Sequence, residues 1–380
     1  MAAWLSMDEA CRLLDVQPQT IYAYVSRGKL EAVSSEGDSR RSLYRAEDVN
    51  ALAKRKLAGR KHETLATNTL FGAEPSIPTS ISTFIRGHLY YRGQDAVALS
   101  QSATLEKVAQ LLWAAEHEVD FTCQNLVMLT KPGRASAFHA LANLAATGHS
   151  THGRLKPVLL DEAQNLVGHI ANAFGAQQSL HQPLHERLAR GWKQPRAVAE
   201  LLRVAMVLLA DHELTSSAFA ARIAASTGAS LPSSLLAGIT TLSGPLHGDA
   251  SGRVRALFAD VARLGEDKVV DHYLSAALPI AGFGHHLYPD GDPRAQALLE
   301  LFGPPPEIMG LIQRVTSLTG KKPNIDIALA ALVARYRLPS DAAFGLFAIA
   351  RSVGLIAHCL EQSGVGQVIR PRGRYIGKIP

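Results

Sequence analysis

Apolar residues recur at helical spacing along most of this chain. From residue 96 onward they fall repeatedly on one helix face, which is the pattern of helices that pack against a core. The clearest windows are Leu105–Ala115, Ala135–Ala146, Leu160–Phe174, Arg196–Ala210 and Ala342–Glu361. Ahead of them, Ile81–Ile85 and His88–Tyr91 flank Arg86 and Gly87, a pattern typical of a β-hairpin. We therefore predict an all-α fold that begins with a short hairpin.

The first 60 residues have the pattern of a separate small module. Ser6–Glu9 has the pattern of a capping box that opens a helix, with Ala10, Leu13 and Leu14 on its apolar side. A second helix is predicted from about residue 18 to residue 27. Gly28 is placed to end it in a left-handed turn.

Two short strands and a third helix complete this module. Lys29–Val33 and Ser42–Arg45 are predicted strands around the polar tip Ser34–Arg41, and a third helix is predicted from about residue 46 into the basic run 54–61. Helix, turn, helix and wing form a helix-turn-helix arrangement. Its sequence, from LSMDEACRLLDVQPQTIYAYVSRGKL to RAEDVNAL, resembles the winged helix-turn-helix domains of the MerR and excisionase type.

The resemblance implies contact with duplex DNA. Gln19, Thr20 and Tyr22 would lie on or near the exposed side of the second helix, where this family meets the major groove. Arg40 and Arg41 would sit at the wing tip, suited to phosphate. The alternative is a helical appendage that packs on its neighbour or dimerises, because fold alone does not imply function.

Composition supports a large protein with more than one domain. The chain has 380 residues, is 47% apolar and carries a formal net charge of +6. A polar stretch rich in Thr, Ser, Gly and Pro separates the two patterned parts. We predict a winged helix-turn-helix domain at 1–60, a linker at 61–79 and a helical domain at 80–380.

Cysteine usage and the N-terminus indicate where the protein acts. The 3 cysteines are far apart, with no disulfide framework and no metal-ligand spacing. The N-terminus lacks a basic segment followed by an apolar run. The window taken as most apolar, Ala197–Ala210, is interrupted by Glu200 and Arg203 and is too short to span a membrane. We expect a cytoplasmic protein with no membrane partner.

Three short segments carry the candidate chemistry. They are residues 244–248 (GPLHG), 282–286 (GFGHH) and 323–326 (PNID). Each places one acid or base group beside Gly or Pro: His247, His285 and Asp326. Two imidazoles and one carboxylate suit chemistry in which one group removes a proton from carbon while the others donate to oxygens.

Six sequence strings in order resemble the citrate synthase family. They are LADHELTSSAFAARIAAST, GPLHGDASGRV, AGFGHHLYPDGDPRA, PNIDIALAAL, FGLFAIARSVGLIAHCLEQ and IRPRGRYIGK, within residues 80–380. The resemblance implies a citrate synthase fold, with a large helical domain and a small domain at about 250–336. It also implies a homodimer and a CoA thioester as substrate, with no metal and no other cofactor.

The resemblance assigns a reaction and roles. Acetyl-CoA would condense with oxaloacetate to give citrate and CoA. Asp326 would be the base that enolises the thioester, His247 the donor to the thioester oxygen and His285 the donor to the ketone of oxaloacetate. The residues that would bind oxaloacetate are His212, Arg294, Arg351 and Arg370, the last reaching into the partner's site. Those that would meet CoA phosphates are Arg372, Arg374, Lys321 and Lys322.

Departures from the family pattern leave alternatives open. Asp249 follows His247 closely, and a carboxylate there would raise the pKa of that imidazole. Thr215 and His286 also differ from the common pattern. One alternative is a 2-methylcitrate synthase that uses propionyl-CoA. The other is a DNA-binding regulator whose synthase-like domain senses a ligand.

Overall fold

The computed structural model describes residues 4–14, 16–35, 38–53, 77–123, 131–177, 182–371 and 375–377. For residues 34, 35 and 38–41 it describes the backbone only. Its contacts divide the chain into two units. One is Met1–Ile77 with Pro371–Pro380, and the other is Pro78–Arg370. The predicted limits of 1–60, 61–79 and 80–380 stay predictions, since most of the expected linker lies outside the described residues.

The N-terminal unit contains helices and a small antiparallel sheet. Its elements are β1 (Trp4–Leu5), α1 (Met7–Leu14), α2 (Pro18–Ser26), β2 (Ala32–Ser35), β3 (Asp38–Arg45) and a helix α3 described over 46–53. The strand order is β1-β3-β2. The three predicted helices and the wing strands are therefore present, and the part of the third helix that was predicted over 54–61 lies outside the described residues. The wing strands extend into the segment that was predicted as a polar tip, and β1 was too short to be recognised from its pattern.

The capping box at α1 forms as predicted. Ser6 Oγ accepts the Glu9 N–H at 3.4 Å, and Glu9 Oε2 accepts the Ser6 N–H at 2.8 Å. Ala10 and Leu14 are buried, four residues apart on one face. Leu13 is 50% exposed, so its predicted inward position was wrong, because the buried stripe runs through Ala10 and Leu14 instead.

The second unit is almost wholly helical, as predicted. Its helices are α4 (Ala96–Ser100), α5 (Leu105–Trp113), α6 (Arg134–Thr147), α7 (Lys156–Ala173), α8 (Leu184–Gly191), α9 (Arg196–Leu209), α10 (Ser216–Ser226), α11 (Leu231–Leu242), α12 (Ala250–Leu264), α13 (Glu266–Ser275), α14 (Pro293–Leu299), α15 (Pro306–Thr319), α16 (Ile325–Tyr336) and α17 (Ala342–Val365). Its strands are β4 (Ser82–Ile85), β5 (His88–Tyr91) and β6 (Gln94–Asp95). Arg86 and Gly87 both have positive φ at the hairpin turn.

Helix α17 is the centre of the main core. It packs against α5, α7, α9, α10 and α11. Within the described residues it is the one helix long and apolar enough to cross a membrane, but 94% of its most apolar 18-residue window is buried in the fold. Its apolar character is therefore explained by its central position in the core.

A second, smaller core lies apart from the first. Val254, Leu257, Val269, Leu311 and Ile327 belong to it, on α12, α13, α15 and α16. This cluster falls within the predicted small domain at about 250–336, whose limits stay a prediction.

Gly354 lets α17 approach the end of α9 closely. Its N–H donates to the Ala210 carbonyl at 3.1 Å. A Cβ added there would overlap the Asp211 carboxylate and the Ala210 carbonyl oxygen. The residue must therefore be glycine for α17 to meet the segment that follows α9.

We expect Gly354→Ala to lower the free energy of unfolding by about 1–3 kcal/mol or more, because the overlap forces the backbones apart. Gly364→Ala, with nothing within 4 Å of the added Cβ, is the matched control on the same helix. It should stabilise the protein by about 0.5–1 kcal/mol. Denaturant unfolding of both variants checks this, and equal effects would show that the close approach does not matter.

Candidate active site

The segment after α9 forms one wall of the site. The Tyr91 hydroxyl has the carbonyl oxygens of Val207, Leu208 and Asp211 within hydrogen-bonding distance, the nearest that of Val207 at 3.1 Å, and it can donate to one of them while it accepts the Asp211 N–H at 3.3 Å. The Asp211 carboxylate is buried, accepts the Ser82 hydroxyl and lies 3.3 Å from His358 Nε2 of α17. These contacts fix the backbone that carries His212.

His212 lies in an aromatic, positively charged pocket. Its Nε2 is 3.0 Å from the Tyr288 hydroxyl, and its ring meets Phe84 and His285 edge-on at centroid distances of 4.8 and 5.4 Å. Burial, and then the charges of Arg294 and Arg351, hold the His212 pKa well below its usual value. His212 is therefore a neutral hydrogen-bonding group.

Backbone hydrogen bonds fasten the His285 loop to the start of α16. The Gly284 N–H donates to the Lys322 carbonyl at 2.9 Å, and the Asn324 N–H donates to the Gly282 carbonyl at 2.8 Å. Asn324 Nδ2 adds a bond to the Gly284 carbonyl at 3.2 Å. Two of the predicted segments, distant in sequence, thus lie side by side.

The His285 imidazole has a defined tautomer. Its Nδ1 accepts the Leu287 N–H at 3.2 Å, so the proton of the neutral ring is on Nε2. Burial, assisted by the Arg294 charge, lowers its pKa to about 4. His286 stacks on the ring at 4.8 Å between centroids. His285 is therefore a neutral donor through Nε2.

His247 is on a turn between α11 and α12. Its Nε2 is 2.8 Å from the Ser217 hydroxyl of α10, and burial followed by the Arg351 charge lowers its pKa to about 4. Asp249 is held by Arg134 through contacts of 2.6 and 3.0 Å. The expectation that Asp249 would raise the His247 pKa was wrong, because Arg134 neutralises that carboxylate while burial and Arg351 act in the opposite direction.

Asp326 lies in the first turn of α16. The Asn324 side chain caps the helix by accepting the Asp326 N–H at 3.0 Å. No described group donates to Asp326 Oδ1, which is buried. Burial raises the Asp326 pKa to about 7, against the lowering effect of Arg294. This carboxyl group is thus poised to accept a proton near neutral pH.

Arg294 is buried and already paired. Its Nε and Nη2 donate to the Asp292 carboxylate at 3.0 and 2.8 Å. Asp292 Oδ2 also accepts the Ile325 N–H at 3.0 Å, next to Asp326. Asp292 therefore connects the Arg294 guanidinium to the start of α16. The sequence analysis did not predict a role for Asp292, because in the Asp-Pro-Arg string it considered only the arginine.

Arg351 is buried on α17 with 1% exposure. Its Nε donates to the Leu209 carbonyl at 3.0 Å, and among the described residues no carboxylate lies within ion-pair distance of it. Burial lowers its pKa, which measures the cost of keeping this charge out of water. A buried guanidinium without a carboxylate partner fits an anionic ligand.

The remaining predicted residues are either exposed or partly buried without a described side-chain contact to this cluster, or lie outside the described residues. Arg370 is exposed, and no described contact joins it to the other residues. Lys321 and Lys322 are exposed beside the His285 loop. Arg372 and Arg374 lie outside the described residues. In the N-terminal unit, Gln19 and Tyr22 are exposed and Thr20 is partly buried, while the side chains of Arg40 and Arg41 lie outside the described ones.

Sequence reasoning also missed Ser217, which contacts His247, and Tyr288, which contacts His212. Both lie within the sequence strings that resemble the family, so their proximity to His212 and His285 in the sequence was the available signal.

The described residues contain no group of three or more His, Cys, Asp or Glu side chains able to hold a metal. A separate cavity of about 780 Å³, lined in part by Asp120, Arg154 and Asp161, contains none of the predicted site residues.

Comparison with known proteins identifies the family of the chain. Residues 134–372 match the family model "Citrate synthase, C-terminal domain", and residues 4–57 match "Helix-turn-helix domain". "Citrate synthase 2" of Bacillus subtilis (strain 168) is 27% identical over 360 residues, which cover 79% of this chain and 93% of that protein. "Citrate synthase" of Haloferax volcanii is 28% identical over 346 residues, which cover 77% and 90%.

Solved structures show the same fold. The citrate synthase of Thermotoga maritima MSB8 superposes with a TM-score of 0.68 at 23% identity, covering 81% of this chain and 95% of that one. The citrate synthase of Thermoplasma acidophilum, in ternary complex with carboxymethyl coenzyme A and oxaloacetate, gives 0.68 at 19% identity, covering 82% and 97%. The chain thus belongs to the citrate synthase family and is a citrate synthase-type acyltransferase with an N-terminal helix-turn-helix domain.

Proposed function

We propose that the protein condenses an acyl-CoA with oxaloacetate, acetyl-CoA being the substrate that gives citrate. The observation that carries this is the charge arrangement of one site. A carboxyl with a pKa of about 7 lies in the field of Arg294, and two imidazoles with a pKa of about 4 lie in the fields of Arg351 and Arg294. One base and two neutral donors match the needs of thioester enolisation and ketone attack.

Asp326 is proposed to remove a proton from the carbon next to the thioester carbonyl. Its unpaired Oδ1 is free to receive that proton, and its raised pKa brings it closer to that of the weakly acidic carbon. His247 would donate from Nδ1 to the thioester oxygen, with Nε2 held by Ser217. A neutral imidazole suits this role, because Nε2 can accept from the Ser217 hydroxyl while Nδ1–H donates to the oxygen on which negative charge develops.

The enol carbon would then attack the ketone carbon of oxaloacetate. His285 Nε2–H, fixed by the Leu287 N–H on its other nitrogen, would donate a hydrogen bond to the ketone oxygen as the carbon–carbon bond forms, and the resulting alkoxide would take up one proton, equal to the one that Asp326 removed. His212, Arg294 and Arg351 would hold the substrate carboxylates. Water then cleaves the thioester of the product, releasing CoA and citrate.

The acyl group is the open part of the proposal. Acetyl-CoA and propionyl-CoA differ by one methylene, worth about 1–3 kcal/mol in a pocket. The relatives bear the name citrate synthase, which favours acetyl-CoA. Steady-state CoA release with oxaloacetate and either thioester tests this. A higher kcat/KM with propionyl-CoA would make the protein a 2-methylcitrate synthase, and no release with either would overturn the proposal.

We also propose a homodimer with Arg370 serving the partner's site. The support is that Arg370 is exposed and that no described contact joins it to the cluster in its own subunit, as expected of an arginine that serves the partner's site. Lys321 and Lys322, exposed beside the His285 loop, are proposed to meet CoA phosphates. Beyond the CoA thioester itself, this reaction requires no cofactor.

The helix-turn-helix domain favours duplex DNA as a second partner. Gln19 and Tyr22 on α2 are exposed, with Tyr22 at 60%. A large aromatic left in solvent on a predicted recognition helix has the placement that groove contact requires. A dimer would present two such domains to a two-fold-related site.

We expect the full-length protein to bind duplex DNA more weakly as salt rises, because phosphate contacts release counterions. Replacing Gln19 and Tyr22 together by Ala should weaken binding about tenfold or more. An anisotropy titration at low salt, with fragments from around its own gene, measures both effects. Arg86→Ala, an exposed change in the other unit, is the control. Equal, weak binding by all three proteins would make the domain an assembly appendage.

A further inference from the structure

The turn that carries His247 is closely held by its own backbone. The His247 N–H donates to the Gly244 carbonyl at 2.9 Å, and the Gly248 N–H donates to the Leu242 carbonyl at 2.9 Å. A Cβ at Gly248 would lie 2.6 Å from the Leu242 side chain, so glycine is needed there. This turn ends at Asp249, directly before α12.

Arg134, at the start of α6, holds that turn from outside. Its guanidinium contacts both carboxylate oxygens of Asp249, at 2.6 and 3.0 Å, and lies 3.9 Å from the centre of the Phe344 ring. Its backbone N–H donates to Asp341 Oδ2 at 2.9 Å. Arg134 thus joins the His247 turn to the start of α17, the helix that carries Arg351.

The pair also sets the charge around the proposed base. The charged groups that face Asp326 are Arg294, Asp292, Arg253 and Asp249, and the Asp249 carboxylate acts to raise the Asp326 pKa. The groups that face His247 are the Ser217 hydroxyl and the Arg351 charge. Without Arg134, the Asp249 carboxylate would place an uncompensated negative charge near Asp326 and His247.

We propose that Arg134 and Asp249 are positioning residues that fasten the His247 turn to α6, and that Arg134 offsets part of the negative charge that Asp249 places near Asp326 and His247. The pair explains how an acidic residue is accommodated two positions after the proposed enol-stabilising imidazole. Its electrostatic part rests on the function proposed above, whereas its structural part does not.

Hydrogen–deuterium exchange of the free, full-length protein tests the structural part. Arg134→Gln and Asp249→Asn should each speed exchange across residues 243–250 by about tenfold, because the turn loses its outer attachment. Arg134→Lys keeps the charge but loses the bidentate contact with Asp249, so its exchange rate should lie between the rates of these variants and that of the wild type. Unchanged exchange in both single variants would overturn the attachment.

The pH dependence of kcat/KM tests the electrostatic part. Arg134→Gln should move the acidic midpoint upward by about half a unit to one unit, since the unpaired Asp249 further disfavours ionised Asp326. Arg134→Lys should leave the midpoint near that of the wild type, and the double variant with Asp249→Asn should restore it. A midpoint that stays fixed, or that shifts and is not restored, would contradict the charge role. A wild-type protein without turnover would overturn the proposed reaction, and the exchange result would still decide the attachment.

Discussion

Replacing Asp326 by Asn is expected to lower kcat by about 10²–10⁴-fold, the usual effect of losing a general base. Oxaloacetate binding should be nearly unchanged, because His212, Arg294 and Arg351 remain in place. Single-turnover CoA release and calorimetric titration with oxaloacetate measure the two properties separately. Asp290→Asn, an exposed change in the His285 loop, is the matched control and should leave both near the wild-type values.

The sign of the pH effect follows from the raised pKa. Asp326 accepts a proton only when ionised, and its pKa is about 7, so wild-type kcat/KM should rise through neutral pH and level off above it. The same burial penalises the folded protein once the carboxyl ionises. Asp326→Asn should therefore raise Tm at pH 8, with the gain disappearing towards pH 4. Near wild-type turnover, or a Tm gain that is independent of pH, would remove Asp326 from the proposed role.

Replacing Arg351 by Gln is expected to raise the Kd for oxaloacetate by about 10²–10³-fold. Truncating one partner of a buried charge pair typically has this effect, and here the partner would be a substrate carboxylate. The unliganded fold should lose little, because the described residues offer Arg351 no ion-pair partner and its burial is costly. We expect Tm to fall by no more than about 5 °C.

Arg222 provides the matched control for this experiment. It is also fully buried, but it donates to Glu361 at 2.7 Å and to Gln362 at 3.1 Å. Arg222→Gln should cost about 3 kcal/mol of unfolding free energy, because it removes the cationic partner of Glu361, which keeps hydrogen bonds from uncharged groups, those of Ser80 among them. It should leave oxaloacetate affinity unchanged. If Arg351→Gln lowers Tm as much as Arg222→Gln while ligand affinity is kept, Arg351 is a structural residue.

Local sequence signals predicted much of the fold. The capping box at Ser6 formed, and Gly28 took a positive φ of 67°. The hairpin formed around Arg86 and Gly87, and the long apolar windows became buried helices. Such features depend on neighbours within a few residues, so a single sequence contains the information. Leu13 was wrongly placed because a short helix buries only one narrow face, and Ala10 and Leu14 occupy that face in place of Leu13.

The structure brings some of the predicted site residues together, and their role as a site stays a prediction. His212, His247, His285, Asp326, Arg294 and Arg351 converge, which short strings beside Gly and Pro had indicated. Their partners were not predictable in the same way. Ser217 lies 30 residues from His247 and Arg134 lies 115 residues from Asp249, so nothing in either local pattern links them.

The sequence by itself determined the helical architecture, the family resemblance and the identity of the chemical groups, because composition, periodicity and short strings are local properties. Tertiary structure alone decided their charge states. It buried Asp326 and raised its pKa to about 7, and it lowered the pKa of His247 and His285 to about 4. It also paired Asp249 with Arg134 and left Arg351 without a described carboxylate. A pKa depends on every charge and dipole within a few ångströms and on access to water, and these are fixed only when distant segments pack together.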